Sequence, residues 1–263
     1  MELTVTALPA FTDNYIWLLS DAAGHAAVVD PGEAAPVEAA LQARGLRLDA
    51  VLVTHHHTDH VGGAAALSAR HACPVFGPAR EAAGVVSIPL AEGQEAGLPG
   101  LGARFRVLDI PGHTAGHIAF EGHGILFCGD TLFSAGCGRL FEGTPAQMSG
   151  SLAKLAALPE SIRVCCGHEY TLDNLRFAAA VEPDNHAIRE HRIRCDALRA
   201  RGEPTLPSTI AMERRINPFL RCSEPAVRDA ASKRAATALT DPIQIFAEIR
   251  LWKDGFKPMM ETR

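Results

Sequence analysis

Thr54-His55-His56-His57-Thr58-Asp59-His60-Val61-Gly62-Gly63 sets four imidazoles and a carboxylate within six positions. Imidazole mixed with carboxylate suits zinc or a similar borderline divalent ion, whereas calcium and magnesium prefer all-oxygen shells. Upstream, the apolar run from Asp49 to Thr54 reads as a buried strand, and downstream Gly62 to Arg70 reads as a helix with a close-packed start. The imidazoles therefore belong on a turn between strand and helix, where side chains converge without occupying the core. An affinity tag would lie at a terminus and carry no interleaved Asp.

Outward from this stretch the same arrangement recurs. Arg104 to Ile110 alternates like a strand and ends at Pro111-Gly112-His113-Thr114. Gly124 to Cys128, pairing as a hairpin with Ile118 to Phe120, ends at Gly129-Asp130-Thr131. Ile162 to Cys166 ends at Gly167-His168-Glu169-Tyr170. In each case a buried run stops and a His or Asp follows, and in three of the four a Gly lets the backbone turn. One solvated strand end is ordinary; four that each deliver a metal-competent side chain point to one sheet edge gathering ligands from several loops.

Seven side chains, His55, His57, Asp59, His60, His113, Asp130 and His168, are too many for one tetrahedral ion and suit two ions sharing a carboxylate. His55 and His57, two apart in an extended turn, face one side and chelate one ion with His113. Asp59 and His60 hold the second ion with His168, and Asp130 bridges. His56 points away in this scheme, and His117 and His123 are supporting or surface residues. Zinc is the expected metal, with iron and manganese open. Asp59 and Asp130 are the catalytic carboxylates, and Asp59 also orients a hydroxide lying between the metals.

The rest of the chain frames this centre. Leu3 to Leu8, Asn14 to Ser20 and Ala26 to Asp30 read as opening antiparallel strands, and Ala34 to Arg44 as a helix stopped by Gly45. Pro74 to Phe76 and Val85 to Ile88 are short strand-like pieces, Glu92 to Gly102 is turn-rich, and Thr144 starts a capped helix. Beyond residue 170 the chain is not strand-like. Helices are expected over 171–181, from a cap at Asp184 to about Arg201, from Glu224-Pro225, and over 241–252.

With 263 residues, 47% hydrophobic, 21% charged and a net charge of −5, the chain reads as an ordinary soluble protein of one large domain or a domain with an appendage. The absence of a long basic run argues against nucleic acid. Seven scattered Cys read as reduced core residues, and the first residues carry neither a signal-peptide pattern nor a run of transmembrane length. These features lead to the expectation of a cytoplasmic monomer with no membrane partner.

Thr-His-His-His-Thr-Asp-His with the later Gly-His-Thr, Gly-Asp-Thr and Gly-His-Glu resembles the metallo-β-lactamase superfamily. The resemblance implies an α/β αββα sandwich over residues 1–170, with metals at one edge, to which the helices read beyond residue 170 add a C-terminal α-helical domain over 171–263. Phe11 to Tyr15, Ala135 to Thr144, Ile216 to Arg221 and Arg250 to Asp254 extend it over nearly the whole chain, to the glyoxalase II (hydroxyacylglutathione hydrolase) family. That implies hydrolysis of S-D-lactoylglutathione to D-lactate and glutathione, the second step of methylglyoxal detoxification. Glutathione has two carboxylates, which Arg139, Arg250 and Lys253 would hold. Tyr170 matches one tyrosine of that family's site, whereas Phe141 stands where a second is common and Arg139 where Lys is common. Rivals within the superfamily are a mono-iron persulfide dioxygenase, an exported β-lactamase and a tRNA-processing nuclease, the last needing a basic surface. A non-catalytic metal-binding module is a further rival.

Overall fold

The computed structural model describes residues 3–81 and 84–256. The N-terminal strands are β1 (Thr4–Ala10), β2 (Asn14–Ser20) and β3 (His25–Val29), followed by helix α1 (Ala35–Arg44) and β4 (Arg47–Leu52). The His motif carries its own short helix, α2 (Thr58–Val61), before α3 (Ala64–His71). Next come β5 (Val75–Pro78), β6 (Ile88–Leu90), β7 (Glu95–Leu98), β8 (Ala103–Asp109), β9 (Ile118–Gly122), β10 (Ile125–Gly129) and the small hairpin β11 (Leu132–Phe133) and β12 (Gly136–Cys137). Helix α4 (Pro145–Ala156) and β13 (Arg163–Cys166) precede α5 (Thr171–Val181), α6 (His186–Ala200), β14 (Ser208–Thr209), α7 (Ile210–Ile216), α8 (Pro225–Ala235) and α9 (Pro242–Asp254).

Two six-stranded sheets form, in the orders β1-β2-β3-β4-β5-β6 and β14-β13-β10-β9-β8-β7. Strand β2 shows why they stack. Its residues are buried throughout, because Tyr15, Trp17 and Leu19 pack toward the second sheet with Phe105, Phe120 and Phe127. Ile16 and Leu18 pack on the other face with Val37 and Leu41 of α1 and Leu67 of α3. A strand alternates its side chains, so a strand buried on both faces needs an unbroken apolar run, and β2 has one. On the far side of the second sheet, α4 packs against α7 and α9. The layers are therefore helix, sheet, sheet, helix, with the C-terminal helices added over α4: the αββα sandwich the sequence leads one to expect.

Several local expectations need correction. Strand β6 begins only at Ile88, and Ser87 instead ties to Val75 through its amide and hydroxyl. The turn-rich passage hides β7, whose Ala96 and Leu98 are buried while Glu95 is exposed; Gly97 and Pro99 masked the alternation. Asn185, not Asp184, caps α6, its side chain accepting from the amide of Ala187 at 3.0 Å. The C-terminal region does contribute a strand, β14, which pairs antiparallel with β13, and the additional helix α7. The end of the expected helical domain, residues 257–263, lies outside the described residues, as do residues 1–2 and 82–83 of the expected sandwich domain. Among the described residues no helix is long and apolar enough to cross a membrane.

The two sheets are stitched at one edge. The amide of Tyr15 donates to the Gly167 carbonyl at 2.8 Å, that of Glu169 to Asp13 at 2.8 Å, and that of Ile118 to Thr54 at 3.0 Å. Trp17 Nε1 donates to the Cys166 carbonyl at 2.9 Å. These bonds fasten together the ends of β2, β4 and β13, where the candidate ligands emerge.

Candidate metal centre

The seven side chains named from the sequence meet at this edge in two groups. His55, His57 and His113 form one, and Asp59, His60 and His168 another; within each, one donor atom per residue lies within 4.8 Å of the others. His57 Nδ1 is 3.2 Å from His55 Nε2 and 3.0 Å from His113 Nε2. In the second group, His60 Nε2 and His168 Nε2 are 3.3 Å apart. Asp130 spans the two, with Oδ2 3.5 Å from His113 Nε2 and 3.3 Å from His168 Nε2, and Oδ1 3.3 Å from His60 Nε2. Asp59 Oδ2 lies 3.4 Å from His168 Nε2.

For four of the five imidazoles the inward-facing nitrogen is aimed by a partner on the other side of the ring. His55 Nδ1 meets Thr54 Oγ1 at 3.1 Å, and His113 Nδ1 meets the Arg139 carbonyl at 2.9 Å. His168 Nδ1 meets Asp13 Oδ1 at 2.8 Å, and His60 Nδ1 meets Asp30 Oδ2 at 3.1 Å. Asp59 Oδ2 accepts from Asn14 Nδ2 at 3.0 Å. An outer hydrogen bond of this kind fixes the tautomer and turns the other nitrogen's lone pair inward. His117 is fully buried, stacks on His55 with centroids 4.5 Å apart, and accepts from the Asp130 amide at 3.2 Å through Nε2.

The electrostatics divide the groups. Burial pushes His55, His57 and His113 below the usual imidazole range, which keeps them neutral with lone pairs available. Burial also opposes charge on His60 and His168, but Asp130 with Asp30 raises His60, and Asp130 with Asp59 lifts His168 to about 10. Burial likewise opposes an ionised Asp130, yet His60 and His168 hold it well below the usual carboxylate range. The Asp130 Oδ1 atom is buried and has no hydrogen-bond partner. In the first group neutral imidazoles crowd nitrogen to nitrogen, and in the second two imidazole nitrogens 3.3 Å apart face ionised carboxylates, one with an orphaned oxygen; this is the donor set a pair of cations fits.

The glycines serve this convergence in different ways. Gly112 and Gly129 have positive φ, 153° and 45°, as a turn at a strand end requires. Gly167 has no such φ; a Cβ there would sit 2.5 Å from His60 Cε1 and 2.6 Å from Asp130 Oδ1, so it is needed for close approach.

A cavity of about 710 Å³ opens over the centre, bounded by His57, His113, Phe141 and Tyr170 on one part and Arg250 and Lys253 on another. Phe141 is exposed, edge-on to His113 with centroids 5.2 Å apart. Tyr170 stacks on His168 at 4.7 Å, and burial followed by Asp13 raises its phenol far above the usual range. Arg139 is exposed, with Nε 3.8 Å from Asp254 Oδ1. Lys253 Nζ donates to the Asp173 carbonyl at 3.2 Å over the ring of Phe177. Arg250 differs from a free substrate anchor: it is buried, donating to the Cys137 carbonyl at 2.8 Å and to Asp254 Oδ1 at 3.0 Å. His56 turns outward, its Nε2 2.8 Å from Glu142 Oε1.

Sequence reasoning passed over Asp13, Asn14 and Asp30. Asp30 ends β3 much as Asp130 ends β10, but the following Pro31-Gly32 marks it as a turn residue. Asp13 and Asn14 stand in Phe11 to Tyr15, a stretch noticed only for its resemblance. All seven cysteines are free and buried.

Sandwich and ligand edge define a metallo-β-lactamase fold, and residues 11–168 match the family described as the metallo-beta-lactamase superfamily. Residues 169–256 match the family described as the hydroxyacylglutathione hydrolase C-terminus. The chain belongs to the hydroxyacylglutathione hydrolase family. It is 59% identical to the hydroxyacylglutathione hydrolase of Alkalilimnicola ehrlichii over 95% of this chain and 98% of that one. To that of Pseudomonas aeruginosa strain PAO1 it is 54% identical, over 97% and 100%. Among solved structures it resembles ETHE1 from Myxococcus xanthus, with a TM-score of 0.63 at 25% identity over 96% of this chain and 98% of that one. It also resembles TTHA1623 in a di-iron-bound form, with a TM-score of 0.56 at 29% identity over 82% and 100%.

Proposed function

We propose that this chain carries the activity of its family, hydrolysis of S-2-hydroxyacylglutathione and in particular S-D-lactoylglutathione, to the hydroxy acid and glutathione. The observation that carries the reading is Asp130 set between a three-imidazole group and an Asp-His-His group. His55, His57 and His113 would hold one divalent ion, Asp59, His60 and His168 a second, with Asp130 shared. Zinc is the metal favoured by this nitrogen-rich set, and iron and manganese are the alternatives; the di-iron form of TTHA1623 keeps iron in view. Ions so held lower the pKa of water and draw charge from a carbonyl oxygen.

The chain's own groups supply the rest. Asp59 Oδ2, steadied by Asn14, can accept a hydrogen bond from an attacking water and so orient it. The thioester's leaving group is a thiolate of ordinary pKa about 8.5, which departs without a general acid. Lys253 and Arg139, both in the cavity lining, offer positive charge for the carboxylates of glutathione. We assign residues 1–170 to catalysis and 171–263 to substrate binding, in a monomeric cytoplasmic protein with no nucleic-acid or membrane partner.

The family match of residues 169–256 and the identities of 54–59% favour hydrolysis over the persulfide dioxygenase alternative. The deciding experiment is turnover of S-D-lactoylglutathione without oxygen, lost on chelation and restored by metal. Oxygen uptake with glutathione persulfide and no thioester cleavage would overturn the reading.

A further inference from the structure

The segment Ile216-Asn217-Pro218-Phe219 stands out in the sequence, yet none of its residues lines the metal-centre cavity. The structure gives it a task. Between Asp130 and the Arg139 to Phe141 wall the chain makes the hairpin of β11 and β12, two residues per strand, paired Leu132 to Cys137 and Phe133 to Gly136. So small a ribbon does not hold itself. Its turn residue Ala135 has a positive φ of 55°, a conformation that disfavours a residue with a Cβ.

Side chains from the C-terminal helices take up its backbone groups one after another. Asn217 Nδ2 donates to the Phe133 carbonyl at 3.1 Å and the Gly136 carbonyl at 2.9 Å. Asn174 Nδ2 donates to Ser134 O at 3.0 Å, and Arg250 Nη1 to Cys137 O at 2.8 Å. The amide of Ala135 donates to Glu213 Oε2 at 2.8 Å. Glu213 also accepts from Ser208 Oγ and, at 3.2 Å, from Asn217 Nδ2, while Asn217 Oδ1 accepts from the Phe219 amide at 3.1 Å. Glu213 and Asn217 are both fully buried. Asparagine fits this place because its amide donates to carbonyls while its oxygen caps the following turn; a carboxylate would face two carbonyls and a second carboxylate.

We propose that Asn217 and Glu213 are positioning residues for the reaction: they clamp the 132–137 hairpin and thereby set both Asp130, two residues before it, and the cavity wall that follows it. The C-terminal helices thus act on the metal centre as well as on substrate. The kinetic part of this inference rests on the proposed thioester hydrolysis; the clamp itself does not.

The test uses Asn217→Ala and Glu213→Leu in the full metal-loaded chain, at a temperature well below unfolding. Glu213→Leu keeps most of the side chain's volume but accepts no hydrogen bond, leaving the Ala135 amide, Ser208 Oγ and Asn217 Nδ2 without that acceptor, so it serves if Asn217→Ala does not fold. Amide exchange over residues 131–138 is expected to quicken by about ten-fold or more, with β9 unaffected. Turnover at saturating substrate, per metal-replete chain, is expected to fall by about ten- to a hundred-fold, as a displaced centre would cause. Unchanged exchange would overturn the proposal, and so would faster exchange with turnover within about two-fold of the parent. Should the parent chain not cleave the thioester, the thioesterase reading fails separately. The d–d bands of the cobalt(II)-loaded protein then replace turnover, with shifted bands in the variants expected and unshifted bands overturning the clamp.

Discussion

Asp30 Oδ2 lies 3.1 Å from Nδ1 of His60, with both side chains buried. The same carboxylate accepts from the Thr54 amide at 2.7 Å and its hydroxyl at 2.8 Å, so it braces the start of the His motif as well as one ring within it. Outer partners of this type are worth about ten- to a hundred-fold in metal affinity. Asp30→Ala is expected to weaken the Asp59, His60 and His168 group by that factor and the three-imidazole group by less. Stepwise metal titration checks this; equal weakening of both groups would mean that Asp30 acts on the whole loop rather than on His60.

Asp130 makes a different demand. Its oxygens reach His113 on one side and His60 and His168 on the other, so Asp130→Ala is expected to lower the affinity of both ions together. Metal content by elemental analysis, near two ions per chain for the parent, is the measurement. A variant that loses one ion while the other titrates as before would remove the bridging assignment.

The four turns that converge on the candidate centre are legible because each follows a buried run with a polar, metal-competent residue, a pattern carried by local sequence alone. Residues that act across the fold were not. Asp30 and Asp13 look like turn residues until folding brings β3 and β2 against the motif and β13. Arg250 shows another gap: a cation in a helix near the C-terminus reads as a substrate anchor, and only the tertiary contacts reveal that, while lining the cavity, its two terminal nitrogens also bond to Cys137 and Asp254. Strand β7 was hidden because Gly97 and Pro99 carry turn signals that outweigh two buried apolar positions. Helix α7 went unread because its seven residues are too few for a helical period to stand out.

Arg250 should therefore behave as a structural residue too. Removing a buried, charge-assisted set of hydrogen bonds costs about 1.5–3 kcal/mol, so Arg250→Ala is expected to lower stability in urea unfolding by an amount of that order. A variant of unchanged stability with a raised KM would make Arg250 a substrate anchor only.

Lys253 is the contrasting case. Its ammonium is half-buried and, among the described residues, bonds to a carbonyl of α5 and lies over the face of Phe177. Burial, and then the neighbouring Arg250, lower its pKa from 10.5 to about 8. If it grips a glutathione carboxylate, that bond is worth roughly 1.5–3 kcal/mol, or about ten- to a hundred-fold in KM with kcat little changed. Lys253→Ala is expected to show this split with metal content intact. The charge is present below about pH 8 and is lost above it, so KM of the parent should rise as pH passes through 8. Lys253→Arg, charged throughout, should flatten that rise. Stability has the opposite sign: between about 8 and 10.5 the unfolded chain binds the proton that the folded chain has released, so this group's contribution grows with pH. A KM that is flat across this range in the parent and unmoved in Lys253→Ala would show that the C-terminal helices do not hold the substrate through this residue.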